Sequence, residues 1–195
     1  MSALGTSLIS REVVPFLAAL AVLGGSALGL DALLHFADMV WVGRYLGIAG
    51  VILILASSGH SLRKRKLISS GKPATLLRWH EGLAWAGSLL ILVHAGIHFN
   101  AILAWLAVWA MLINIVSGLT GRFLLKRARA RLDANRQTLR ATGLSPEALE
   151  ERTYWDSLTF DLVKQWRVIH VPITLAFAAL ALAHIIAVCL FWGWR

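Results

Sequence analysis

A chain of 195 residues, 58% of them hydrophobic, with a mean hydropathy of +0.70 and a formal charge of +9, lies well above the roughly half-apolar usage of soluble domains and reads as an integral membrane protein. Its single cysteine, Cys189, excludes a disulfide framework, a thiolate zinc cluster and any C-x-x-C-H attachment sequence. The positive charge does not call for a nucleic-acid partner, because basic loops beside lipid headgroups are the ordinary source of such an excess.

Read at about 20 residues per crossing, the apolar stretches give five spans, at 13–30, 40–58, 75–98, 101–122 and 165–192, in a single all-α membrane domain covering residues 1–195. The first stretch begins at Arg11-Glu12 and shows no small-residue cleavage site before a soluble chain, so it is kept as a span rather than a signal peptide. The link after the second span carries Arg63, Lys64, Arg65, Lys66 and Lys72, and the link after the fourth carries Lys126, Arg127, Arg129, Arg131, Arg136 and Arg140. The alternate links, LDALLHFAD and HFNA, hold no Lys or Arg. The positive-inside rule therefore predicts a cytoplasmic N-terminus and an external C-terminus.

The one sizeable link, 123–164, has its own pattern. A basic continuation of the fourth helix breaks at Ala141-Thr142-Gly143, and SPEALEER then begins a new helix. Ser145 is placed to cap, Pro146 to take the first helical position, and Glu147, Glu150 and Glu151 to complement the positive end of the helix dipole. These features predict a cytoplasmic helical hairpin, serving either as a solvated connector or as a docking surface.

Histidines supply the chemistry. The third span contains His80 and His94, the fifth His170 and His184, and each pair is fourteen residues apart. At ~100° per residue, fourteen steps return to within about 40° of the start, and at ~1.5 Å per residue the two members stand roughly 21 Å apart on one helix face. Both odd-numbered spans run in the same direction, so His80 and His170 share the cytoplasmic level and His94 and His184 the external one. Two imidazoles facing each other at one level are what a six-coordinate haem requires, since the porphyrin supplies four in-plane nitrogens and the protein two axial ligands. Zinc would need its ligands gathered around one ion, which this separation forbids. The competing readings are a proton pathway and plain interhelical hydrogen bonding, but ionisable residues at membrane depth are rare and usually functional.

Other residues fit around this arrangement. Gly87 is midway between His80 and His94 and makes room either for a macrocycle or for a neighbouring helix, as do Gly82 and Gly96. Phe177, midway on the fifth span, fills the space between macrocycles or is ordinary core. Arg78 and Arg167 precede the cytoplasmic ligands and are suited to haem propionates, with interfacial snorkelling the alternative. Arg44 and His98 are the external counterparts. His98 lies eighteen residues after His80 and could compete with His94 as ligand; His94 is preferred because it repeats the spacing of the fifth span. His35 and His60 have no matching partner. A quinone site is expected externally, from His35, Asp38 and His98, with His60 and Glu81 as the cytoplasmic alternative.

The paired histidines in RWHEGLAWAGSLLILVH and WRVIHVPITLAFAALALAH resemble those of the di-haem b-type membrane cytochromes, the ferric-reductase-like transmembrane proteins and the cytochrome b group being closest. The resemblance covers the membrane core. It implies transmembrane electron transfer through two non-covalent b haems. The chain departs from full reductases in lacking a sixth span, an attached flavin or nicotinamide domain and a G-x-G-x-x-G fingerprint. The expectation is therefore a cytochrome b subunit of a larger redox complex in a bacterial inner membrane, exchanging electrons with quinone. Its partner would be an iron-sulfur protein, a flavoprotein or a multihaem cytochrome c. A stand-alone transmembrane reductase and a non-redox proton or ion transporter are the alternatives.

Overall fold

The computed structural model describes residues 13–67, 69–97 and 102–191. Among them every regular element is helical: α1 (Val14–Phe36), α2 (Val40–Ser57), α3 (Gly59–Lys64), α4 (Pro73–Ile97), α5 (Ile102–Thr120), a π-helical turn (Gly121–Leu125), α6 (Lys126–Ala141) and α7 (Pro146–Phe191). Four segments are long and apolar enough to cross a membrane: Val14–Phe36, Val40–Lys64, Ile102–Phe123 and Val168–Phe191. The histidine-bearing α4 is not among them. Its 25 residues reach ~37 Å, which is sufficient length, so His80, Glu81, His94 and its glycines are what lower its apolarity.

The described chain forms two compact units. One runs from Leu20 to Trp109 and takes in the end of α7 from Leu180; the other comprises Ala110–Ala179 with the start of α1 up to Ala19.

In the first unit, α1 continues past residue 30, where sequence reading ended it, to Phe36. In its last turns the His35 ring bonds back to the Asp31 carbonyl, Nδ1 to O 2.9 Å. The helix is then closed by two capping bonds, Asp38 N–H to the His35 carbonyl at 3.2 Å and Met39 N–H to the Leu34 carbonyl at 2.8 Å. That pair of bonds is the Schellman arrangement, and it requires Asp38 to take a left-handed φ of 54°. The turn delivers the chain straight into α2.

Helices α2 and α4 pack closely. The buried residues of α2 are Gly43, Gly50 and Ser57, spaced by seven, so that they fall on one stripe. Gly50 meets Gly87 of α4: a Cβ on Gly50 would lie 2.8 Å from the Gly87 carbonyl oxygen, and one on Gly87 would lie 2.8 Å from the Gly50 oxygen. The backbones touch where both side chains are missing, as small residues in membrane helices permit.

In the second unit, α6 ends at Ala141, the chain turns through Gly143 at φ +75°, and α7 begins at Pro146. Ser145 caps α7, its Oγ accepting the Ala148 N–H at 3.3 Å and its carbonyl the Leu149 N–H at 2.9 Å. Sequence reading separated this helix from the last span at residue 164, whereas α7 is continuous over 46 residues, or ~69 Å. No Gly or Pro stands between Glu147 and Val171 to interrupt it. Pro172 lies inside the helix and withholds a backbone donor from the Val168 carbonyl.

Candidate functional site

The seven-residue stripe of α2 matches the histidine stripe of α4 position for position. His94 Nδ1 is 3.0 Å from the Gly43 carbonyl, Gly87 faces Gly50, and His80 Nδ1 is 3.0 Å from the Ser57 carbonyl. Seven residues along one helix correspond to seven back along the other, as antiparallel helices in constant register require. A carbonyl can only accept, so each Nδ1 must carry the proton, and in the neutral ring the lone pair is then on Nε2. Metal-ligating histidines are commonly oriented in this way, by a carbonyl behind the ring that fixes the tautomer and raises the basicity of the other nitrogen. Gly87 itself is buried with its Cα toward Gly50, Leu53 and Ile54, which is the close-approach alternative of its two sequence readings.

His80, His94, His170 and His184 are all half-buried. His94 and His184 fall in the first unit. In the second unit His170 stands over Gly118, where a Cβ would lie 3.8 Å from its Cε1. One turn on, the Thr174 hydroxyl is 2.7 Å from the His170 carbonyl and 3.0 Å from Asn114 Oδ1, sharing its proton between two acceptors and joining α7 to α5. Phe177 is 7% exposed and belongs to the core of this unit. Among the described residues no group of three or more His, Cys, Asp and Glu gathers as a single bare metal ion would need.

Two histidines that looked partnerless in the sequence have neighbours. His60, on α3, has its ring centroid 6.0 Å from that of His80 with the planes tilted 32°. His35 is paired with Asp31, Nδ1 to Oδ1 3.7 Å. Asp31 is the residue that sequence reading passed over: with the first span ended at residue 30 it counted as a loop residue, yet it lies inside α1. Its Oδ1 is shielded from solvent and has no hydrogen-bond partner among the described residues. A Cβ on Gly96 of α4 would come 3.4 Å from that oxygen, which places the carboxylate beside the His94 end of α4. The signal available in the sequence was an Asp and a His four residues apart at the end of an apolar run.

Of the remaining expected residues, Arg44 and Arg78 are exposed, and Asp38 is in the α1–α2 turn. His98 and the side chain of Arg167 lie outside the described residues. No family model, curated protein or solved structure matches the chain.

Proposed function

We propose that this protein is a multi-pass membrane cytochrome b that carries electrons between the two faces of a bilayer through two non-covalent haems. The observation that carries the reading is the pair of hydrogen bonds from His80 Nδ1 to Ser57 O and from His94 Nδ1 to Gly43 O, since two rings on one stripe are both held with Nε2 as the ligating nitrogen. His94 and His184 hold the outer haem, and their place in one compact unit supports that pair. His80 and His170 hold the inner haem, a pairing that rests on the fourteen-residue spacing common to both helices.

When bound, each haem supplies a one-electron couple. The chain's own part is to orient imidazoles, exclude water and neutralise propionates, for which Arg44, Arg78 and Arg167 are the candidates. In this reading α4 adds a crossing to the other four and is the third in chain order, stabilised in lipid by having His80 and His94 bonded to α2. The N-terminus is cytoplasmic, and α6 with the first turns of α7 forms a cytoplasmic hairpin. Quinone binds on the external side near His35 and His98, with the shielded Asp31 proposed in place of the Asp38 expected from the sequence, so that groups able to take protons accompany the outer ligand. An iron-sulfur protein, flavoprotein or multihaem cytochrome c completes the chain of carriers in a bacterial inner membrane.

The test is a pyridine haemochrome assay with a reduced-minus-oxidised spectrum of the purified protein. Two b haems per chain are expected. A protein with no haem after expression with adequate haem supply overturns the reading and leaves proton or ion transport as the class to examine.

A further inference from the structure

We infer that Gly47 is a positioning residue for the outer ligand His94, fixing the plane of its imidazole; this rests on the cytochrome reading above. Gly43 and Gly47 are one turn apart on α2 and lie on the same face. The Gly43 carbonyl holds His94 Nδ1 at 3.0 Å, and Gly47 lies beneath the rest of the ring. A Cβ there would stand 2.8 Å from His94 Cδ2, 2.9 Å from Cγ and 3.0 Å from Nε2.

These contacts run from Cγ, where the ring joins its side chain, to the ligating Nε2 of a rigid planar group, so the ring cannot escape by bending. It must tilt or withdraw as a whole, which breaks the Gly43 bond and moves Nε2. The other two glycines of this packing do something different: Gly50 and Gly87 oppose each other's carbonyl oxygens and set the distance between helices. The inner ligand has no glycine counterpart, because the position one turn beyond its anchor Ser57 is Ser61, past the end of α2. The effect of filling Gly47 is therefore confined to one of the two ligands on α4.

Low-spin bis-imidazole haem reports the relative orientation of its two ligand planes in its electron paramagnetic resonance g-values, so the inner haem serves as an internal control. Gly47→Ala is expected to shift or abolish the outer-haem signal and to change that haem's midpoint potential, while the inner haem stays at one per chain with its signal unmoved. Gly24→Ala, where an added Cβ meets nothing within 4 Å, is expected to leave both signals as in the unaltered protein. Unchanged outer g-values and potential in Gly47→Ala overturn the inference, and so does joint loss of both haems, which would make Gly47 a general packing residue. If the unaltered protein takes up no haem, the functional reading has failed but this one is still measurable. Nitrogen-15 histidine spectra of the full chain should then show a His94 Nδ1–H that persists in Gly24→Ala and is lost in Gly47→Ala, and its persistence in Gly47→Ala overturns the inference.

Discussion

His94 donates its Nδ1 proton to the main-chain carbonyl of Gly43, 51 positions away in the sequence, at 3.0 Å. The same contact recurs fourteen residues along each helix, where His80 donates to Ser57. A side-chain-to-carbonyl bond of this kind contributes about 0.5–1.5 kcal/mol net in ordinary surroundings. Its larger consequence is chemical, because it fixes the tautomer and so puts the lone pair of each neutral ring on Nε2.

Histidine replacement is expected to sort the ligands into levels. His94→Ala and His184→Ala should each remove the outer haem and retain the inner one, while His80→Ala and His170→Ala should do the reverse. Spectral redox titration of the four variants reads the pairing directly, and loss of different haems within either couple would contradict the assignment.

Filling the glycine seam should loosen the α2–α4 pair. In Gly50→Ala and Gly87→Ala the new methyl meets a backbone oxygen at 2.8 Å, which the helices can relieve only by moving apart, at a cost of about 1–3 kcal/mol. Gly24→Ala fills open space in a helix interior and should stabilise by roughly 0.5–1 kcal/mol. Thermal or denaturant unfolding in detergent gives the ranking, and equal midpoints for all three would mean the seam is not packed as described.

Asp31 and Asp38 should separate cleanly. Asp31→Asn removes the shielded carboxylate beside Gly96 and is expected to slow haem reduction by a quinol analogue about tenfold or more, as loss of a proton acceptor does. Asp38→Gly, by contrast, relieves a left-handed residue, worth about 1 kcal/mol or slightly more, and should raise the melting temperature while leaving the rate alone. Stopped-flow reduction of the two variants checks both, and a slow Asp38→Gly protein would return Asp38 to the quinone site.

Ser145→Ala should fray the start of α7. The lost acceptor for the Ala148 N–H costs about 1 kcal/mol locally, so amide exchange at 147–149 is expected to quicken several-fold, with Ser145→Asp restoring protection. Unaltered exchange would show that Pro146 and the acidic first turn suffice.

Features that depend on residues near one another in the chain could be read from the sequence. Long apolar runs must find lipid, so the four segments apolar enough to cross a membrane were legible in outline, while the expected span at 75–98 is not among them. Ser145-Pro146 after Thr142-Gly143 marked the start of α7, because caps and turns act within one turn of the helix. The fourteen-residue spacing placed His80 with His94 and His170 with His184 on common faces, because helical geometry is regular. Features that depend on an unlike partner emerged only from packing. The acceptors for His80 and His94 are main-chain carbonyls, a group every residue has and none advertises, and choosing Ser57 and Gly43 required the register of α2 against α4. Gly87 could have faced a macrocycle or a helix until Gly50 was opposite it. Asp31 and His60 read as boundary residues until α1 continued past the first and the ring of His80 stood 6.0 Å from the second. Periodicity fixes the face a residue occupies, but the chemistry of that face depends on the helix packed against it.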